Sequence, residues 1–399
     1  MTPSLLKRGG GPRSSSSSKA AARSLCKGYS FGESQGGVKV DDTTALDFDL
    51  SSPSAALVKR QPTADSSTTE ACSSVASDAA AADAADLPGD ERLLLGGEDS
   101  KYDRQDELDG VRYIWNELDK VERSELPDLA MMVRHWRAES GDAEKALAKL
   151  RDTLHWRREF GVDDLVGCFE GGDSGGGNGE STANNKLAAT MEEENSTGKI
   201  YVRGYDREGR AFMYMRPGRE NTMNAADNMK HLVWNIEKAV ACTKRKSLEV
   251  LSSRRKQQQQ QQQVPSDAAG ADQQMPLEKI NLVIDYAGFR LRDAPPLSTS
   301  KHTLDILQKH YPERMHRAYV LHPPLYFKTF WSVIKPFVDP LTKKKIVMVS
   351  NDAAMRELTD AVGPANLNKM EPVAGGPEPV RDFDSREYLH LPFDHCFDE

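Results

Sequence analysis

The feature that most constrains the fold is an alternation of strand-like and helix-like segments that starts near residue 199. Two strand patterns, residues 199–203 and 211–216, flank the turn-forming segment Asp206–Gly209 and predict a hairpin. Further along the chain the patterns predict helices at 225–242, 303–310 and 326–336, and strands at 279–285, 317–322 and 345–350. This alternation predicts an α/β domain, a sheet with helices on its faces. The apolar run 279–285 predicts a strand buried on both faces.

Three helical patterns precede the hairpin. The first, residues 104–122, repeats apolar side chains every three or four positions, at Leu108, Val111, Ile114 or Trp115, and Leu118. Pro127 is placed to start a second helix, and Asp142 to cap a third that ends at Gly161. We therefore expect a small three-helix module at 101–170, ahead of an α/β domain at 198–390.

Three other segments have compositions that do not build a core. Residues 1–100 are rich in Ser, Ala, Gly and Asp, and residues 171–197 are rich in Gly, Asn and Glu. Residues 247–277 contain the run Gln257–Gln263. Such segments bury too little apolar surface to offset the entropy of ordering them, so we predict that all three are disordered or loop-like.

Charge and cysteine content narrow the classes of function. The formal net charge of −8 disfavours general nucleic-acid binding, which depends on clustered positive charge. Five scattered cysteines are typical of a reducing compartment. No apolar run approaches the ~20 residues of a membrane-spanning helix, so we expect a cytoplasmic protein that is peripheral at membranes. Residues 1–32 are basic and free of acids, which fits either a disordered tail or an organelle transit peptide.

Three segments carry a more specific signal: residues 150–165, residues 199–218, and residues 280–349. The last includes Tyr311-Pro-Glu-Arg314 and Lys335-Pro-Phe-Val-Asp-Pro340. Together these segments resemble the CRAL-TRIO family, which includes phosphatidylinositol/phosphatidylcholine transfer proteins and retinaldehyde- and tocopherol-binding proteins. The resemblance implies a mixed-sheet α/β lipid-binding domain in which one lipid lies in an apolar pocket closed by a gate helix.

The resemblance also implies particular site residues. The gate helix corresponds to residues 326–336, and its candidate cavity-facing or membrane-touching residues are Phe327, Phe330, Trp331 and Ile334. The headgroup site of phosphoinositide-binding members corresponds to Glu313, Arg314, Thr342 and Lys345. A phosphate at a pocket mouth needs cationic or hydroxyl donors, and Arg314, Thr342 and Lys345 supply them.

Two departures from the family pattern keep other ligands open. Glu139 stands where members often have an arginine, so either Arg134 or Arg137 replaces that cation or phosphate binds more weakly. Ile280 and Leu282 stand where phosphatidylcholine-exchanging members have small hydroxyl residues. The alternatives to a phosphatidylinositol carrier are therefore a carrier of a neutral, sterol- or isoprenoid-like ligand, or a lipid-sensing regulatory module.

Enzyme signatures are weak. The segment Gly172-Asp-Ser-Gly-Gly176 spells a sequence known from trypsin-like proteases, but it lies in a glycine-rich linker with no barrel pattern around it. His395-Cys396 lacks a second pair at metal-ligand spacing, and no phosphate-binding glycine loop joins a strand to a helix. We expect no catalytic residue, cofactor or metal. The expected partners are a phospholipid, a membrane surface and a lipid kinase.

Overall fold

The computed structural model describes residues 102–169, 180–262, 276–290, 297–325, 327–371 and 382–399, together with residues 292 and 294. The disorder expected for residues 1–100, the transit peptide considered for residues 1–32 and the segment 172–176 lie outside these described residues. Within them, no helix is long and apolar enough to cross a membrane.

The elements follow the order expected of an α/β domain behind a helical segment. The α-helices are α1 (Arg104–Glu117), α2 (Lys120–Ser124), α3 (Ala130–Ala138), α4 (Ala143–Phe160), α5 (Val162–Val166), α6 (Glu180–Asn195), α7 (Ala225–Gln262), α8 (Leu297–His310), α9 (Phe327–Ile334), α10 (Pro340–Lys344), α11 (Asp352–Val362) and α12 (Ser385–His390). The strands are β1 (Ile200–Tyr205), β2 (Ala211–Met215), β3 (Ile280–Asp285), β4 (Met315–Leu321) and β5 (Ile346–Val349).

The five strands form one mixed sheet in the order β1-β2-β3-β4-β5. β1 and β2 are antiparallel and form the predicted hairpin, and β2 to β5 are mutually parallel. The Asp206 carboxylate accepts hydrogen bonds from the backbone N–H groups of Glu208 and Arg210, at 2.9 and 2.8 Å, and so closes the turn. The predicted α/β class with a mixed sheet is confirmed.

The helical segment α1 to α4 encloses an apolar cluster of its own. The predicted helix 104–122 is split, because Asp119 forms a capping box with Glu122 and starts α2. Ile114 and Trp115 are both buried, so the stripe on α1 is wider than the sequence required. The cap at Asp142 is confirmed, and Gly161 ends α4 in the left-handed conformation that favours glycine.

Two predictions of disorder are wrong. Residues 180–195 form α6, with Met191 fully buried. Helix α7 continues from Ala225 through Ser247 to Gln262, well past the expected end near residue 242. Composition misled because Ala, Leu, Met, Glu, Gln, Lys and Arg, although mostly polar, are good helix formers. An established helix also extends by one hydrogen bond per added residue, without a new nucleation cost.

The two faces of the sheet differ. One carries Phe212, Tyr214, Val283 and Tyr319, which pack with Trp234 of α7 in the main core. Register places two apolar rows on the other face: Met213, Leu282, Ala318 and Ile346, and Met215, Ile284, Val320 and Met348. The β3 and β5 members of these apolar rows are only half-buried. The expectation that β3 is buried on both faces is therefore wrong for the second face.

Candidate functional site

Three charged side chains meet where the parallel strands begin. Lys279 precedes β3, Glu313 lies two residues before β4, and Lys345 precedes β5. The Nζ atoms of Lys279 and Lys345 lie 3.5 and 3.6 Å from the same oxygen, Oε2 of Glu313. Each of the three side chains keeps between 19% and 24% of its surface exposed. We call Lys279, Glu313 and Lys345 the edge cluster.

Strand pairing holds the edge cluster together. The backbone N–H of Ile280 donates to the carbonyl of Arg314 at 2.8 Å, and that of Ala318 donates to the carbonyl of Lys345 at 3.0 Å. The Lys345 ammonium also donates to the Met315 carbonyl at 3.1 Å. Glu313 itself has a φ of 57°, a left-handed conformation uncommon for a residue with a Cβ. The two lysines thus approach Glu313 from strands on either side of it.

Thr342 lies one helical turn before Lys345. Asp339 caps the short helix α10 by accepting from the backbone N–H groups of Leu341 and Thr342, at 2.8 and 3.1 Å. The Lys345 N–H then donates to the Thr342 carbonyl at 3.0 Å, which ends α10 directly before β5. Of the predicted headgroup residues, Glu313 and Lys345 are therefore close together, with half-buried Thr342 on the adjoining turn.

Arg314 points into a different group of charges. Its Nη1 donates to Oε2 of Glu278 at 3.2 Å, and its Nη2 lies 3.9 Å from Oδ2 of Asp128. Arg134 contacts both of those carboxylates, donating to Asp128 at 3.1 Å and also pairing with Glu278. Lys244 pairs with Asp128 and lies 3.4 Å from Glu278. We call Asp128, Arg134, Lys244, Glu278 and Arg314 the inner cluster.

Burial and neighbouring charges shift the pKa values of the inner cluster. Burial lowers the pKa of Arg314, and the adjacent Arg134 lowers it further. Burial alone would raise the pKa of Asp128, but Arg134, Arg314 and Lys244 outweigh it and hold that pKa below its usual range. The negative charge of Asp128 is therefore stabilised by the three cations around it.

Arg134 and Arg137, the candidates to replace the cation absent at Glu139, each pair with other carboxylates. Arg134 is nearly fully buried in the inner cluster. Arg137 donates from Nε and Nη2 to both carboxylate oxygens of Glu107, each at 2.7 Å. Glu139 pairs with Lys149. Arg137 and Glu139 therefore pair within the helical segment, whereas Arg134 pairs with Glu278 at the entry to β3.

The segment that corresponds to the expected gate forms α9, followed by a 3₁₀ turn at Lys335–Phe337. Phe327 and Ile334 are buried and Trp331 is half-buried. Phe327 packs edge-on against Tyr286, with ring centroids 5.1 Å apart. Residue 326 and the side chain of Phe330 lie outside the described residues.

Large apolar side chains are exposed along the same stretch of chain. Leu325 is 98% exposed, and Val333, Phe337 and Leu341 are between 43% and 49% exposed. Leu341 belongs to α10, the helix that carries Thr342 toward the edge cluster. Where exposed apolar groups form a contiguous patch, they mark a surface that contacts a partner or a membrane.

A cavity of about 290 Å³ lies between the helical segment, α7 and the residues from His310 to Arg314. Charged and polar residues make up about half of its lining, among them Arg134, Arg157, Glu237 and Arg314. Arg157 donates to Glu237 at 2.6 Å, and the Tyr311 hydroxyl donates to the same oxygen at 2.9 Å. Acyl chains are a poor match for such a lining, because they would desolvate charges without replacing their hydrogen bonds.

At the other end of the parallel strands, where β3 and β4 end, His322 Nδ1 lies 2.8 Å from Oδ1 of Asp285. The hydrogen bond to Asp285 raises the pKa of His322. Sequence analysis missed this pair because the two residues are 37 positions apart. Among the described residues, no group of three or more His, Cys, Asp or Glu side chains is arranged to hold a metal.

Comparison with known proteins shows which family and which proteins this chain is similar to. Residues 195–370 match the family model described as CRAL/TRIO domain. A CRAL-TRIO domain-containing protein of Schizosaccharomyces pombe is 29% identical over 60% of this chain and 19% of its own. The phosphatidylinositol transfer protein PDR17 of Saccharomyces cerevisiae is 26% identical over 54% of this chain and 50% of its own. This chain therefore spans only a fifth and a half of the lengths of these two curated relatives.

Two further similarities are more extensive in coverage. A second CRAL-TRIO domain-containing protein of Saccharomyces cerevisiae is 28% identical over 63% of this chain and 72% of its own. A solved structure titled "Crystal structure of Sfh5" is 19% identical over 58% of this chain and 70% of that one, with a TM-score of 0.36. A TM-score this low has no bearing on the site.

Proposed function

Because residues 195–370 of this chain belong to the CRAL/TRIO domain family, we propose that the protein holds one lipid, phosphatidylinositol or a phosphoinositide, and exchanges it at membranes. The relative named a phosphatidylinositol transfer protein supports this ligand class. The observation that carries the proposal is that charged side chains lie at the start of the same strands that carry the apolar rows. The apolar rows run across β2 to β5, and their members on β3 and β5 are half-buried. The edge cluster lies where β3 to β5 begin.

The apolar rows suit acyl chains. The two apolar rows together present eight side chains on one face of the sheet. The members on β3 and β5 keep part of their surface exposed. In the proposed arrangement the lipid chains lie along these rows, and α9 closes over them through Phe327, Phe330, Trp331 and Ile334. Burial of Phe327 and Ile334 supports an inward-facing side of α9.

Solvation energy explains why a carrier of this kind needs a gate. Burying one methylene contributes about 0.8 kcal/mol, so two acyl chains of about 16 carbons oppose release into water by roughly 25 kcal/mol. Lipid must therefore leave directly into a bilayer. The exposed side chains Leu325, Val333, Phe337 and Leu341 supply the surface that would touch the membrane while the gate is open. This cycle has no covalent step, and the protein need not be an enzyme.

The edge cluster and Thr342 form the proposed headgroup site. Lys345 supplies a cation to the phosphate, the Thr342 hydroxyl supplies a donor, and Glu313 accepts hydrogen bonds from headgroup hydroxyls. Arg314 has a different part in this proposal. Its contacts with Glu278 and Asp128 place it in the inner cluster, so it positions the neighbouring Glu313 rather than touching the lipid.

One observation favours a second candidate, a carrier of a neutral apolar ligand. Leu282 of the apolar rows stands where phosphatidylcholine-exchanging relatives are expected to have a hydroxyl group, and Glu139 brings an acid to the helical segment. Such a carrier would need the apolar rows and α9 but not the edge cluster. A lipid-sensing role that recruits a lipid kinase is a third candidate. In each case we propose a cytoplasmic protein that contacts membranes transiently.

The test is transfer of labelled phosphatidylinositol between vesicles by the full chain. We expect the wild type to transfer it, and Lys345→Ala and Glu313→Ala to lose about tenfold or more, because a hydrogen bond to a charged group contributes about 1.5 to 3 kcal/mol. Lys309→Ala, at an exposed lysine on α8, is the matched control and should transfer normally. Absence of wild-type transfer, with a neutral lipid found by mass spectrometry of the purified protein, would instead establish the neutral carrier.

A further inference from the structure

Lys279 is a residue that neither the family pattern nor sequence analysis assigned to the site. Its Nζ lies 3.5 Å from Oε2 of Glu313, on the side opposite Lys345, whose Nζ lies 3.6 Å from that same oxygen. Both distances exceed those of a close hydrogen bond, so the two contacts are ion pairs between charged groups. Two ammonium groups therefore face one carboxylate from neighbouring strands.

The neighbour of Lys279 explains its direction. Glu278 is held in the inner cluster by Arg134, by Arg314 at 3.2 Å and by Lys244 at 3.4 Å. Successive side chains of an extended chain project to opposite sides. Anchoring Glu278 toward the helical segment therefore turns Lys279 the other way, toward the edge cluster. Glu313 and Arg314 also belong to different clusters, with Arg314 in the inner cluster and Glu313 in the edge cluster.

Charge indicates which part of a ligand each residue would meet. Two lysines and one glutamate give the edge cluster a net charge of about +1, which matches the single negative charge of a phosphodiester. The Glu313 carboxylate repels a phosphate but accepts hydrogen bonds from hydroxyl groups. A headgroup that joins a phosphodiester to a polyol satisfies both requirements, whereas a choline headgroup offers no hydroxyl donor.

We infer that Lys279 is a second phosphate-binding residue of the headgroup site, acting with Lys345 and occupying the role of the cation missing at Glu139. The inference rests on the proposed function. The arginines on α3 are held by Asp128, Glu278 and Glu107, so the additional positive charge comes from the entry to β3 instead. A phosphodiester oxygen placed between the two ammonium groups then receives donors from two strands at once.

The experiment measures transfer of pyrene-labelled phosphatidylinositol between phosphatidylcholine vesicles by the full chain. Lys279→Gln should reduce transfer about tenfold or more, as Lys345→Gln does, since each removes a charged donor. Lys279→Arg should retain at least half of the wild-type transfer because it keeps the positive charge. The exposed control Lys309→Gln should match the wild type. Each variant is also melted, and we expect thermal midpoints within about 2 °C of the wild type.

The outcomes separate this inference from the proposed function. If the wild type transfers phosphatidylinositol and only Lys345→Gln loses it, Lys279 does not bind phosphate and the proposed function still holds. If Lys279→Gln loses transfer together with more than about 5 °C of thermal midpoint, its role is structural and the inference is overturned. If the wild type transfers no phosphatidylinositol, the proposed function fails, and the inference fails with it.

Discussion

The inner and edge clusters use adjacent residues of the same two segments, yet their geometry differs. Glu278 and Arg314 belong to the inner cluster, where every group meets at least two partners. Five of its six ion pairs are 3.4 Å or closer, and only the pair of Arg314 with Asp128 is longer, at 3.9 Å. Lys279 and Glu313 belong to the edge cluster, where the two ion pairs measure 3.5 and 3.6 Å. The inner cluster joins the helical segment to the sheet, and the looser edge cluster faces the region proposed for the headgroup.

The difference shows how one pair of strand entries can serve both stability and binding. Arg134 and Arg314 offer planar guanidinium groups, which form several directional hydrogen bonds with carboxylates. Lys279 and Lys345 offer compact ammonium groups on flexible stems, which can turn toward an arriving anion. We therefore expect substitutions in the inner cluster to act on folding, and substitutions in the edge cluster to act on lipid transfer.

The largest expected effect is loss of stability on removing an inner-cluster cation. Arg134→Met removes the closest partner of Glu278 and one of the three partners of Asp128, and removing one member of a buried ion pair costs about 3 to 5 kcal/mol. Urea unfolding measures this change. The matched control is Arg112→Met, whose exposed pair with Asp109 at 3.6 Å should contribute less than about 1 kcal/mol. A change below about 1 kcal/mol for Arg134→Met would remove the contrast between the clusters.

Acid should weaken the same region by a slightly smaller amount. Burial lowers the pKa of His135, which adjoins the inner cluster on α3, to about 4 from an ordinary value of about 6.5. The unfolded chain takes up this proton at a higher pH than the folded chain, so stability is undiminished above about pH 6.5. It falls as the pH drops from 6.5 to 4, by about 3 kcal/mol in all.

Unfolding free energies measured between pH 7 and 4 test this dependence. His135→Gln should make the pH profile less steep, because glutamine does not titrate, although it lowers stability at pH 7 through lost contacts with Met131 and Thr153. The remaining slope comes from His231 and His310, whose pKa values burial also lowers. The exposed His155→Gln should leave the profile as it is in the wild type. A profile that stays equally steep in His135→Gln would assign the acid sensitivity to other groups.

The smallest expected effect concerns the exposed apolar surface beside the edge cluster. Phe337→Asp should weaken binding to phosphatidylcholine vesicles about 5- to 30-fold, because a half-exposed phenyl ring gains about 1 to 2 kcal/mol on entering a bilayer. Vesicle flotation measures this binding. Val121→Asp changes a more exposed apolar residue on α2 and should bind as the wild type does. Equal losses of vesicle binding in both variants would mean that the membrane does not bind preferentially to the segment near α9.

Local sequence patterns determined much of the architecture. Apolar patterns predicted the five strands and helix α9 to within a few residues, because each pattern depends only on the repeat of its own element. Helix α8 begins six residues before its predicted start, α7 ends 20 residues after its predicted end, and α10 to α12 were not predicted. The cap at Asp142 and the end at Gly161 were also readable, since capping involves side chains within one turn. The helical inserts were misread because composition reports average polarity, while α6 and α7 depend on helix propensity and on buried positions such as Met191.

The sequence by itself therefore determined the class of fold and the segments from which a headgroup site could be built, including Glu313 and Lys345. Only the tertiary structure decided that Arg314 turns away from that site and that Lys279 turns toward it. The physical reason is that strand pairing joins residues more than 30 positions apart, and the contacts made by Glu278 then select the side to which its neighbour points. No local pattern contains that information, because it arises from partners on other strands and on the helical segment.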